Sequence, residues 1–340
     1  MKFMIIGLGS MGKRRIRNLQ HLGEKDIIGC DVDEGRRKEV EKTYGVPTYG
    51  SIEQGFAQSP DAVIISTPPA RHYDIAEQVA KHGLPFFMEA NVVPEGFDRV
   101  VQVCNEMKVF AAPSCTMRFQ PSIRKIKSLL DENAIGRVLH FTYHVGQYLP
   151  DWHPYEDYRK FYVSKKETGA CREIVPFELN WITWAMGKIT LLTGMRRKVS
   201  KLETDIDDIY SMILEFEGGG SRIGTVVIDV LSRVPYRTLK IVGEEGVITW
   251  EWRDKKVNLY TVKDKQWKEF REPEGIKMPG YVAEEDMYID EMKSYIEGVK
   301  TGAYSHTLEE EGELMKLLSL IERSSDNRVQ SRIDGDGSGR

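Results

Sequence analysis

Short, unbroken apolar runs punctuate the first third of the chain: Phe3–Ile6, Asp26–Cys30, Asp61–Thr67, Leu84–Met88 and Val109–Ser114. A run of this length bounded by turn residues reads as a strand buried on both faces. Between them lie stretches of helical composition, Lys13–Leu22, Glu34–Tyr44, Ser51–Gln58, His72–His82 and Pro94–Lys108, with Val46–Tyr49 a short strand or turn. Alternating strands and helices predict a parallel, doubly wound Rossmann sheet. From Gly136 the pattern changes to alternating apolar and polar positions with hairpin punctuation. Ile209–Phe216 and Arg222–Val230 flank the Gly218-Gly219-Gly220 turn, and Leu239–Val242, Val247–Trp252 and Val257–Val262 continue as a meander. One helix, Ala170–Met186, interrupts this sheet and stops at Gly187. Two more, Ala283–Lys300 and Leu308–Glu322, close the chain ahead of a polar tail. The expected division is this parallel α/β domain over 1–120, an α+β domain with a largely antiparallel open sheet over 121–323, and a flexible tail over 324–340.

The first strand leads directly into Gly7-Leu8-Gly9-Ser10-Met11-Gly12 and then a helix. Gly7 allows the tight turn, Gly9 lets the backbone approach a diphosphate, and Gly12 allows close packing of helix on strand. The helix start at Ser10 and Met11 offers N–H groups and a positive dipole end to phosphate. The second strand ends at Asp31, spaced from the glycines as required to accept hydrogen bonds from an adenosine ribose. A carboxylate there favours NAD over NADP, while Arg36 and Arg37 leave NADP open. Ligands of such sheets lie beyond the carboxyl ends of strands, which places Thr67, Pro68, Glu89 and Asn91 at the cofactor groove. His72, opening a helix, is either a cofactor contact or an ordinary helix-start polar residue.

Composition changes this picture little. At 340 residues the chain has room for two cores, and its net charge of −4 with scattered Lys and Arg argues against nucleic acid. No apolar run approaches the ~18 residues of a membrane span, and the start shows no signal peptide, so a cytoplasmic location is expected. Cys30, Cys104, Cys115 and Cys171 are widely spaced, which suits reduced thiols. His140 and His144 share a strand face, but a metal needs more converging ligands than these, and none is expected.

Together with Ser66-Thr67-Pro68-Pro69, Phe87-Met88-Glu89, Met117-Arg118-Phe119-Gln120-Pro121 and the helix after Gly169, the glycine turn resembles the Gfo/Idh/MocA oxidoreductases. The resemblance implies hydride transfer between NAD(P) and a sugar, cyclitol or nucleotide-linked sugar, and a homodimer or homotetramer joined through the antiparallel sheet. Where such proteins carry Glu-Lys-Pro, this chain has Glu89-Ala90-Asn91, and where their later helix carries Asp and His, it has Glu173 and Phe177. Glu173 serves as a base if burial raises its pKa; otherwise it is a helix-face acid paired with a basic neighbour. The stretch from Gly146 to Arg159 packs aromatic, acidic and basic residues together. His153 and Tyr158 are candidates for the missing acid or base, Tyr148 and Phe177 for substrate contact, and Arg159 for a substrate carboxylate or phosphate. A non-catalytic cofactor-binding sensor or partner subunit, and an NAD-assisted glycosidase, are the alternatives.

Overall fold

The computed structural model describes residues 1–152, 157–218, 222–278 and 284–332. By its packing the chain forms two compact units, Met1–Phe119 with Gly275–Glu313, and Gln120–Glu274 with Leu314–Arg340.

The first unit is built on a parallel sheet, β1 (Phe3–Ile6), β2 (Ile27–Cys30), β3 (Thr48–Tyr49), β4 (Ala62–Ile65), β5 (Phe86–Met88) and β6 (Ala111–Pro113), ordered β3-β2-β1-β4-β5-β6. Helices α1 (Ser10–His21), α2 (Glu34–Tyr44), α3 (Ile52–Phe56), α4 (His72–Lys81) and α5 (Phe97–Met107) connect them. Side chains alternate across a strand, so each apolar run feeds two cores. Met4, Ile6, Val63 and Ile65 pack with Ile75, Val79 and Val100 on one face. Phe3, Ile5, Ala62 and Ile64 pack with Ile16 and Leu19 on the other.

The second unit begins with α6 (Pro121–Asp131), entered through Gln120, whose Oε1 accepts from the Ile123 N–H at 2.8 Å. It continues with β7 (Val138–Tyr148), α7 (Ala170–Met186), β8 (Ile189–Arg197), β9 (Ile209–Phe216), β10 (Arg222–Asp229), β11 (Leu231–Gly243), β12 (Gly246–Glu251), β13 (Lys256–Thr261) and β14 (Trp267–Arg271). The sheet is antiparallel except where β7 runs parallel to β10. The meander expected from periodicity is therefore broken: β7 inserts between β10 and β11, two strands that follow each other in sequence. On α7, the buried Glu178 accepts from Tyr143 Oη at 2.7 Å, Trp181 Nε1 at 2.8 Å and Arg237 Nε at 3.1 Å. These bonds fix the helix on the sheet.

The last elements are α8 (Asp286–Thr301), α9 (Leu308–Asn327) and β15 (Ser331–Arg332), which pairs with β8. Two expectations are corrected here. Residues 275–313 belong to the first unit rather than the second, because Met292, Tyr295 and Ile296 of α8 complete the core around Phe3 and Phe87. Buried Arg118 also donates to the Ser305 carbonyl and to Glu310 Oε2 at 3.3 Å. Of the tail expected to fray over 324–340, the stretch from Ser324 to Asn327 instead continues α9, because Ser324 and Ser325 hydroxyls accept from the Gly194 and Arg196 N–H groups at 2.9 and 3.0 Å, while 333–340 lie outside the described residues. No helix among the described residues is long and apolar enough to cross a membrane.

Arg15 of α1 is fully buried and binds Glu89 through Nε at 2.7 Å and Nη2 at 2.8 Å, with Glu291 of α8 at 2.9 Å. Burial opposes its charge, but Glu89 and Glu291 more than compensate and raise its pKa. Arg15→Leu leaves two buried carboxylates without their counter-charge, and is expected to destabilise the first unit by about 3–5 kcal/mol in urea unfolding.

Candidate functional site

The turn after β1 fits a dinucleotide position by position. Gly7 has φ +92°, and a Cβ there would stand 2.6 Å from the Ser66 carbonyl oxygen. A Cβ on Gly12 would lie 1.9 Å from the Gly7 oxygen. A Cβ on Gly9 would meet nothing within 4 Å, so the space it would fill is left open beside the start of α1. Gly7 and Gly12 are thus required by the protein itself, whereas Gly9 is free for a ligand to approach.

Asp31, at the end of β2, is tied to that turn. Its Oδ2 accepts from the Leu8 N–H at 2.8 Å and its Oδ1 from the Asp33 N–H at 2.8 Å. Arg36 Nη1 stands 3.6 Å from Oδ2, while Arg37 donates to the carbonyls of Asp31 at 2.7 Å and Val32 at 3.1 Å. Each carboxylate oxygen retains acceptor capacity for a ribose hydroxyl.

At the end of β4, Thr67 and Pro68 follow the strand as expected, and the Thr67 hydroxyl is buried without a protein partner. His72 opens α4. Its buried Nε2 bonds the Thr67 carbonyl at 2.6 Å, and burial holds the ring down to about 4, so it braces the loop as a neutral group. Glu89 and Asn91 stand just beyond the end of β5. The Glu89 carboxylate turns inward to Arg15, and Ser66 Oγ donates to it at 3.2 Å. The Asn91 Oδ1 accepts from the Val92 and Val93 N–H groups at 2.7 and 3.0 Å, closing its own loop. Both residues shape the strand end.

In the second unit Glu173 lies in the first turn of α7. Its Oε1 accepts from Tyr162 Oη at 3.3 Å, while Oε2 is buried without a hydrogen-bond partner. Desolvation pushes the carboxyl up to about 7, against the opposing effect of the Tyr162 bond. Its neighbour Arg172 is engaged instead with Glu322, at 2.6 and 3.2 Å. Phe177, one turn further along α7, is partly buried.

The loop candidates fare differently. His153 lies outside the described residues. Tyr158 Oη accepts from the Glu203 N–H at 3.4 Å. Arg159 bonds Asp157 at 2.7 and 2.9 Å and Glu203 at 2.7 Å. Those bonds hold Asp157 down to about 2. Tyr148 lies under the Arg233 guanidinium, 3.7 Å from ring centroid to Cζ. Tyr162 was missed, because nothing in the sequence links a tyrosine in an aromatic stretch to an acid on the following helix. His144 is held by Asp229 at 2.9 Å and Tyr236 at 2.8 Å. Among the described residues no cluster of three or more His, Cys, Asp or Glu could hold a metal.

A parallel α/β unit with a diphosphate-shaped glycine turn, followed by a mostly antiparallel sheet, defines a dinucleotide-dependent class of protein. Residues 1–113 match the family model "Oxidoreductase family, NAD-binding Rossmann fold" and residues 123–249 match "GFO/IDH/MocA C-terminal domain". The chain belongs to the Gfo/Idh/MocA oxidoreductase family, and its first unit is an NAD(P)-binding domain. It is 26% identical over 143 residues to scyllo-inositol 2-dehydrogenase (NAD(+)) of Bacillus subtilis, covering 40% of this chain and 42% of that one. The chain thus matches less than half the length of its curated relatives. An oxidoreductase from Agrobacterium radiobacter, solved with NAD+, L-tartaric acid and magnesium, shares the fold with a TM-score of 0.85 at 17% identity over 98% of both chains. The WlbA dehydrogenase from Bordetella pertussis, solved with NADH and UDP-GlcNAcA, does so with a TM-score of 0.81 at 19% identity over 99% of this chain and 98% of that one.

Two predictions separate structure from chemistry. Gly9→Ala is expected to keep the wild-type melting temperature but weaken NAD binding at least ~10-fold by calorimetry, whereas Gly12→Ala lowers the melting temperature. Wild type should lose stability relative to Glu173→Gln as pH rises from 4.5, the ordinary value, to about 7, the folded value. Over that window only the unfolded chain releases the proton. The loss should total about 3 kcal/mol and level off above it, measured by urea unfolding across pH.

Proposed function

We propose that the protein is an NAD(P)-dependent oxidoreductase that moves hydride to or from a CH–OH carbon of a sugar, cyclitol or nucleotide-sugar substrate. The observation that carries this reading is the intact glycine turn, open at Gly9 and bonded through Leu8 to Asp31. In this reading the amides from Gly9 to Gly12 hold the diphosphate, Asp31 holds the adenosine ribose and makes NAD the preferred cofactor, and Thr67 and Pro68 line the groove. The nicotinamide, when bound, supplies the hydride acceptor or donor.

Proton transfer falls to Glu173. Lysine is absent at Ala90, and Phe177 offers only a ring surface, so neither position titrates. A carboxyl poised near 7 accepts a proton from a substrate hydroxyl in one direction and returns it in the other. Tyr148 and Phe177 supply apolar faces for the carbon side of a sugar ring. The similarity to scyllo-inositol 2-dehydrogenase supports a polyhydroxylated substrate. A homodimer or homotetramer through the antiparallel sheet belongs to the same proposal. Ile213 and Ile223 stand exposed on that sheet, 55% and 46% accessible.

Calorimetry is expected to show NAD binding more tightly than NADP, with Asp31→Ala narrowing the preference. A panel of sugars, cyclitols and nucleotide sugars is expected to include one that changes nicotinamide absorbance, and Glu173→Gln should lower that kcat by roughly 10²- to 10⁴-fold. Firm cofactor binding without turnover on any panel member would make the protein a cofactor-holding sensor or partner subunit instead.

A further inference from the structure

The segment ahead of α7 is held by its own polar contacts. Thr168 Oγ1 donates to the Tyr162 carbonyl at 2.6 Å, and the Lys165 N–H reaches the same oxygen at 3.1 Å. Ser164 Oγ donates to the carbonyls of Arg159 at 3.0 Å and Phe161 at 2.9 Å, and Val163 is fully buried. Gly169 allows the segment to enter the helix, since a Cβ there would stand 2.8 Å from Ile206 and 3.0 Å from the Lys165 oxygen. Tyr162 therefore presents its hydroxyl to Glu173 from a fixed backbone.

From this arrangement we infer that Tyr162 is the positioning residue for Glu173, and that it decides which carboxyl oxygen carries the transferable proton. A protonated carboxyl has one carbonyl oxygen and one hydroxyl oxygen. Tyr162 Oη donates to Oε1, so Oε1 is the acceptor and the proton sits on Oε2, the oxygen with no protein partner. The inference rests on the oxidoreductase reading for its chemistry. On oxidation, the substrate O–H bond breaks and its proton passes to ionised Oε2, the C–H bond gives up hydride to NAD, and the carbonyl C=O bond forms. Reduction is the reverse, with Oε2 donating. Of the groups that could compete, Arg172 is spent on Glu322 and the Glu167 carbonyl, and among the described residues only Tyr162 acts on the carboxyl besides desolvation.

Because the phenol stabilises the ionised carboxylate, Tyr162→Phe should make Glu173 a weaker acid. Infrared difference titration of the carboxyl band in the full chain, with Glu173→Gln to assign the band, needs no substrate. The expected midpoint is near 7 in wild type, moved upward by roughly half to one pH unit in Tyr162→Phe. Thr168→Val, which frees the Tyr162 backbone and keeps the phenol, should shift it the same way by less. With an active substrate, the kcat/KM profile should move to higher pH by the same amount. An unmoved midpoint in Tyr162→Phe, or a moved midpoint with an unmoved profile, overturns the assignment. A shifted midpoint in a protein that turns over no substrate would uphold the pairing and count against the oxidoreductase reading alone.

Discussion

One buried guanidinium holds the cofactor end of the first unit together. Arg15 leaves α1 just after the glycine turn and is held by Glu89 at the end of β5 and Glu291 on α8. Glu291 also accepts from Ser114 Oγ at 3.0 Å, the Cys115 N–H at 2.7 Å and Thr116 Oγ1 at 2.8 Å, yet burial still raises its pKa. A charge so placed has no solvent to fall back on, so the geometry of Arg15 depends on both carboxylates. The consequence is rigidity: the helix that opens at the glycine turn is fixed to the end of β5. Arg14 extends the arrangement by binding Glu285 at 3.0 Å, and Asn18 adds a bond to the same carboxylate at 3.2 Å.

The two units divide the chemistry. The first supplies a phosphate-shaped turn in which two glycines answer to protein packing and a third to a ligand. The second supplies a carboxyl with one oxygen held and one free, on a helix whose rotation is fixed by the fully hydrogen-bonded Glu178. Around Glu173, desolvation moves a carboxyl toward neutrality without any charged partner.

What could be read in the sequence was what local pattern controls. The glycine turn, Asp31, α2 and α7 follow from residue spacing and caps, and the structure has them over the expected residues. Long-range pairing was not legible. Glu89 and Asn91 sit at a strand end, and neither the partner of Glu89 on α1 nor the return of Asn91 onto its own loop could be read from spacing. Arg159 read as a clamp, and its bond to Glu203, 44 residues further along the chain, could not be read from spacing. The amphipathic pattern of α8 shows that it packs, but not against which core, so its return to the first unit was invisible. Burial made Glu173 a base candidate only conditionally; its depth and its tyrosine partner come from the tertiary fold.

The most direct test of the account is a crystal structure of the full chain grown with saturating NAD. The diphosphate should lie against the Gly9 and Ser10 amides, with the adenosine ribose hydroxyls on Asp31. A bound cofactor whose diphosphate lies away from this turn, or a folded protein that takes up no NAD at all, would contradict it.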